Sequence, residues 1–132
     1  MTAGYSGTPL ARKLSLKPGM RAWRWGMPAS VAVEIAEGGV ELLDTPAAPL
    51  DCAHIFVIER AELERQLAML KPLLASGGFV WVSWPKRASR VPTDITEDTI
   101  RAVCLPMGLV DVKVCVIDAV WSGLKLMARR PT

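Results

Sequence analysis

Histidine occurs once in this 132-residue chain, at His54, and cysteine three times, at Cys52, Cys104 and Cys115, with no Cys-x-x-Cys pair. That spacing excludes a zinc site and a paired-cysteine redox motif, so no metal is expected. Each cysteine lies in an apolar run, which points to reduced, buried thiols. No stretch approaches the ~20 apolar residues that a membrane-spanning helix needs. Met1 to Pro9 lacks the charged and apolar regions of a secretory signal. A cytoplasmic location without membrane contact is therefore expected. Charge of one sign is also scarce: 16 Lys and Arg against 13 Asp and Glu leave a net +3. With no block of like charge, nucleic acid is not an expected partner. Internal repeats and low-complexity segments are missing too.

What is present is an ordinary globular balance, 51% hydrophobic and 22% charged. A chain of this length makes one domain, residues 1–132, and buries roughly two-thirds of the surface it exposes when unfolded. Residues 1–16 carry Gly4, Gly7 and Pro9 and read as a flexible or irregular start with at most one helical turn, near Leu10 to Leu14. Lys17-Pro18-Gly19 is a turn.

Met20 to Trp25 reads as a strand, Pro28 opens a helix, and Gly38-Gly39 stops it. Val40 to Leu43 is a short strand ending at Asp44. Ala53–Ile58 and Phe79–Trp84 are near-continuous apolar runs, the mark of strands buried on both faces. Between them, Leu63, Leu67, Leu70 and Leu74 share one face of a helix over Arg60 to Leu74, with Gly77-Gly78 as its stop. Asp94-x-x-Glu97 resembles a capping box opening a second helix, with Ile100, Val103, Cys104 and Met107 on its inner face. Val110, Val112, Val114 and Val116 alternate with Asp111, Lys113 and Cys115 as in a half-exposed strand near a sheet edge. A last strand, Trp121 to Met127, follows a turn near Asp118.

Strands alternating with helices predict an α/β domain: a three-layer, Rossmann-like, mostly parallel sheet with right-handed crossovers, closed by a C-terminal antiparallel hairpin. The two doubly buried runs should lie adjacent at its centre.

Two phrases resemble the class I S-adenosylmethionine-dependent methyltransferases: Leu16-Lys-Pro-Gly-Met-Arg21, before the first strand, and Leu70-Lys-Pro-Leu-Leu-Ala-Ser-Gly-Gly-Phe79. The terminal hairpin is also typical of that fold. Gly4-Tyr-Ser-Gly-Thr-Pro-Leu10, Val82-Ser-Trp-Pro-Lys86, Pro92-Thr-Asp94, Gly108-Leu-Val-Asp-Val-Lys113 and Trp121-Ser-Gly-Leu-Lys125 resemble signature phrases of the DUF3052 family of small proteins. These phrases span the chain end to end, and that family name implies no activity. The methyltransferase resemblance implies a glycine-rich turn after the first strand and an acidic residue after the second, which would hold a ribose. Asp44 meets the second expectation. The turn itself, Trp25-Gly26-Met27-Pro28, has one glycine, and Pro28 removes an amide donor. The family's third strand and its helix are missing from the pattern. Useful binding of S-adenosylmethionine is therefore not expected, and no cofactor is assigned.

In open α/β sheets, ligands bind beyond the carboxyl ends of the strands. That edge comprises Trp25 to Pro28, Asp44, Glu59 and Arg60, and Trp84 to Asp94. Lys86, Arg87 and Arg90 are candidates to hold a phosphate or carboxylate beside a helix N-terminus, with Trp84 as an apolar wall. Gly26, Asp44 and Glu59 complete the candidate ligand-binding set, and no catalytic residue is assigned. His54 reads as a satisfied core residue, and Trp23, Trp25 and Trp81 read as core. The expected function is a noncatalytic domain that binds an anionic small molecule or a protein partner. The alternative is a minimal S-adenosylmethionine-dependent methyltransferase.

Overall fold

Near-continuous apolar runs are best satisfied between two layers, and the computed structural model, which describes residues 7–129, places them there. The elements are α1 (Leu10–Lys13), β1 (Arg21–Trp25), α2 (Ala29–Glu34), β2 (Glu41–Leu42), β3 (Leu50–Phe56), α3 (Arg60–Leu70), β4 (Leu74–Pro85), α4 (Glu97–Cys104), β5 (Leu109–Val116) and β6 (Trp121–Ala128). They build one six-stranded sheet of order β2-β1-β3-β4-β6-β5. Neighbours from β2 to β4 pair in parallel, while β6 runs antiparallel to both β4 and β5. The two apolar runs are thus adjacent central strands, with the hairpin at one edge. Between β2 and β3 the chain passes directly, without the extra strand and helix of the resembled family.

Side chains alternate between the two faces of the sheet. Ala53, Ile55, Val57, Val80, Val82 and Leu124 pack beneath α3 and α4, with Leu63, Leu67, Leu70, Ile100 and Val103 above them. Cys52, Phe56, Phe79 and Trp81 pack on the other face with Leu10, Leu14, Val31 and Ile35. The single turn of α1 is therefore part of the core, and Trp81 Nε1 donates to the carbonyl of Leu14 at 2.9 Å. Full burial of such aliphatic side chains stabilises by about 1.5–3 kcal/mol each.

Four local expectations are corrected. First, α3 ends at Leu70 rather than Leu74, because Pro72 lies in the 3₁₀ turn Lys71–Leu73 that follows it. Second, Gly77-Gly78 does not stop that helix; it lies in an irregular stretch of β4, where the pairing jumps from Leu50↔Leu74 to Cys52↔Phe79. The extra residues loop out, and a Cβ on Gly78 would stand 2.8 Å from the carbonyl oxygen of Leu50. Third, the capping box of α4 is Thr96 with Thr99, each side chain accepting the other's backbone N–H. Asp94 instead accepts the Arg60 N–H at 2.7 Å, at the start of α3. Fourth, in β5 the valines are the outer residues: Val112, Val114 and Val116 are exposed while Leu109 and Cys115 are buried. A register shift against β6 between Asp111 and Lys113 inverts the alternation there.

Candidate functional site

The carboxyl ends of β1, β2 and β3 meet around one turn. Trp25 ends β1, and Gly26 follows with φ +67, a left-handed conformation that brings the chain against β3. A Cβ on Gly26 would lie 2.9 Å from the carbonyl oxygen of Phe56, so the missing side chain makes room for the protein's own backbone. Pro28 caps α2 in extended conformation. Asp44 follows β2 and Glu59 follows β3; both are exposed, and neither carboxylate has a partner among the described residues. Trp25, read from the sequence as core, is instead 40% exposed and stacked on Trp23 at 6.4 Å. Ile58, one residue before Glu59, is 43% exposed. Sequence reasoning missed both. The available signal for Trp25 was its place as the last strand residue before a glycine turn, where no neighbour covers it.

The second part of the edge lies beyond β4. Trp84 is 8% exposed and forms the inner wall of a cleft of about 490 Å³, lined also by Arg87, Arg90, Val91, Pro92, Ile95 and Glu97. Lys86 does not line it. Its backbone instead anchors the turn, donating to Val120 O at 2.8 Å and accepting from Ser89 Oγ at 2.7 Å. At the α4 N-terminus the amides of Ile95, Thr96 and Thr99 are already taken. Thr96 and Thr99 satisfy one another, Thr93 Oγ1 accepts the Ile95 N–H, and Glu97 and Asp98 bring acidic charge to the first turn. The cleft's cations are therefore the side chains of Arg87 and Arg90. Its far wall is fastened to the end of β3, where Thr93 Oγ1 donates to Ile58 O at 2.6 Å and the Asp94 N–H donates to the same oxygen at 3.3 Å. The structure thus brings Gly26, Asp44 and Glu59 to one half of the edge and Trp84, Arg87 and Arg90 to the other, with Ile58–Arg60 between them.

His54 stands apart from both halves. It is buried in β3, 2.7 Å from Ser83 Oγ and stacked on Phe56 at 4.5 Å. Burial, reinforced by the nearby Arg24 guanidinium, pushes its pKa down to about 3, so the imidazole is neutral at physiological pH. Burial also pushes the Cys52 thiol up to about 11 and keeps it protonated. The cavity beside them, lined by Arg24, Cys52, His54 and Trp81, measures about 10 Å³, room for about one water and no ligand. Among the described residues, no group of three His, Cys, Asp or Glu is placed to hold a metal, and no helix is long and apolar enough to cross a membrane.

No protein-family model matches the chain, so the likeness to DUF3052 rests on the phrases alone. No curated protein matches its sequence. Solved structures do match. A SAM-dependent methyltransferase from Aquifex aeolicus aligns with a TM-score of 0.65 at 15% identity, over 90% of this chain and 87% of that one. The CcbJ methyltransferase from Streptomyces caelestis gives 0.64 at 10% identity, over 93% and 91%. Sp1610 from Streptococcus pneumoniae, solved with S-adenosyl-L-methionine, gives 0.61 at 14%, over 93% and 72%. At such identities the likeness establishes the fold, which is that of the S-adenosylmethionine-dependent methyltransferases.

Three observations bear on whether the edge fits that cofactor. An exposed indole suits stacking on a purine, and a free carboxylate one strand away suits the hydroxyls of a ribose. The space beside Gly26, by contrast, is taken by the backbone of Phe56. Trp25 and Asp44 fit the nucleoside half of the molecule.

Proposed function

We propose that this chain is a small methyltransferase-type domain that binds S-adenosylmethionine, or a nucleoside like it, across the carboxyl edge of β1, β2 and β3. The observation that carries the reading is Trp25, exposed at the end of β1, with the unpaired carboxylate of Asp44 following the neighbouring strand β2. Trp25 would stack on the base, Asp44 would accept hydrogen bonds from the ribose hydroxyls, and Glu59 would border the far side. The ligand would supply an electrophilic methyl group. Two of the structural neighbours, LepI and Sp1610, were solved with S-adenosylmethionine, which supports the choice of ligand.

Titration calorimetry with S-adenosylmethionine and S-adenosylhomocysteine tests the proposal. Wild-type protein should bind at micromolar concentrations. Asp44→Asn should weaken binding roughly ten- to hundredfold, as expected on loss of charge-assisted hydrogen bonds. Absence of binding at millimolar ligand would overturn the reading. A second reading, a noncatalytic domain for an anionic small molecule or a protein partner, is favoured by one observation. The space beside Gly26 is filled by Phe56 rather than left open for a ligand.

A further inference from the structure

The cleft beyond β4 combines features that ordinary surface loops lack. Arg87 and Arg90, like Arg12, Arg24 and Arg129, have no carboxylate partner among the described residues, but only these two share a cleft. The two stand three residues apart, Arg87 opening the 3₁₀ turn Arg87–Ser89 and Arg90 capping it, and both line the cleft. The turn is held from both sides. Lys86 bonds to Val120, Ser89 Oγ bonds to Lys86 O, and the Val91 N–H donates to Ser89 Oγ at 3.3 Å. Arg90 itself adopts φ +62, which a side-chain-bearing residue rarely does. The same cleft is lined by the apolar side chains of Trp84, Val91, Pro92 and Ile95. The volume of about 490 Å³ falls within the range of small-molecule sites, roughly 300–1,000 Å³.

From this geometry we propose that the cleft binds a small molecule with one anionic group, a phosphate monoester or a carboxylate, on an aromatic or aliphatic body. Arg87 and Arg90 hold the anion, and Trp84, Val91 and Ile95 take the apolar body. Glu97 lines the rim and is itself engaged by Arg101, so it leaves the two arginines unneutralised. Thr93, in the wall of the cleft, donates to Ile58 O beside the nucleoside edge, but anion binding in the cleft does not rest on the function proposed above.

The experiment compares phenyl phosphate, benzoate, inorganic phosphate and phenol by calorimetry, on wild-type protein and on the Arg87→Gln/Arg90→Gln double variant. S-adenosylmethionine is titrated in parallel. For wild type, phenyl phosphate or benzoate should bind at least ~10-fold more tightly than inorganic phosphate or phenol, because charge and apolar area act together. The better of the two identifies the anionic group. The double variant should lose at least ~10-fold in that affinity while its affinity for S-adenosylmethionine stays the same. Lys86→Ala, at a residue that does not line the cleft, should change nothing. Wild-type binding no tighter than to phosphate, or unchanged affinity in the double variant, would overturn the proposal. If circular dichroism shows the double variant unfolded, the single variants Arg87→Gln and Arg90→Gln decide by the same criterion. Failure of S-adenosylmethionine to bind while phenyl phosphate still does would remove the nucleoside reading and leave the anion site standing.

Discussion

Replacing Gly26 by alanine separates a glycine that serves the fold from one that serves a ligand. Two effects add at this position. The left-handed φ of +67 disfavours any residue with a Cβ by about 1–2 kcal/mol. The new Cβ would also lie 2.9 Å from the carbonyl oxygen of Phe56, which is backbone of a central strand and cannot move aside. Overpacking of that kind costs about 1–3 kcal/mol. Gly19 provides the control. It sits at φ +83 in the Lys17–Met20 turn, and a Cβ there meets nothing within 4 Å. Gly19→Ala should therefore lose only the conformational part, about 1–2 kcal/mol. Gly26→Ala should lose about 2–5 kcal/mol, a large share of a typical domain's stability. Urea unfolding followed by circular dichroism gives both values, with equal m-values expected if only stability changes. Equal losses in the two variants would refute the close-approach argument. A Gly26→Ala protein as stable as wild type that no longer binds S-adenosylmethionine would mean that the glycine makes room for the ligand instead.

Two further variants probe the elements around the site. His54 has its pKa lowered from 6.5 to about 3, so the unfolded chain binds the extra proton first and stability falls as pH drops below 6.5. Between pH 7 and 5 this amounts to at most ~2 kcal/mol, and the loss continues towards pH 3. In His54→Gln the dependence over pH 7 to 5 should flatten, as read by denaturant midpoints at the two pH values. Thr96→Ala removes the oxygen that accepts the Thr99 N–H and should cost about 1 kcal/mol in thermal or urea unfolding, whereas no loss would mean that Asp94 rather than Thr96 caps α4.

The central half of the fold is legible in the sequence because its signals are redundant. Ala53–Ile58 and Phe79–Trp84 are best satisfied between two layers, and Leu63, Leu67 and Leu70 fix the inner side of α3. Legibility fails where partners far along the chain decide. The valines of β5 alternate perfectly, yet the shifted register at Asp111/Lys113 turns them outward. Asp94 sits three residues before Glu97, as a capping residue would, yet it bonds to Arg60, 34 residues away. The same holds for the candidate site. Asp44, Glu59, Arg87 and Arg90 could be named from their places after strands. The exposure of Trp25 is missed when its aromatic character is weighed above its place at the strand end before Gly26.

That register shift also bears on what happens when two molecules meet. Open sheets tend to recruit foreign strands along their margins. Here one margin is β2, whose ladder is only Glu41–Leu42, too short to template a partner. The other is β5, interrupted at Val112 and followed by Lys113, whose Nζ is drawn across to Lys13 O on the face that carries α1. Among the described residues, then, neither margin offers a long regular strand: β2 is two residues and the bulge at Val112 divides β5, so the three outward valines do not lie on one even edge for a second chain to extend.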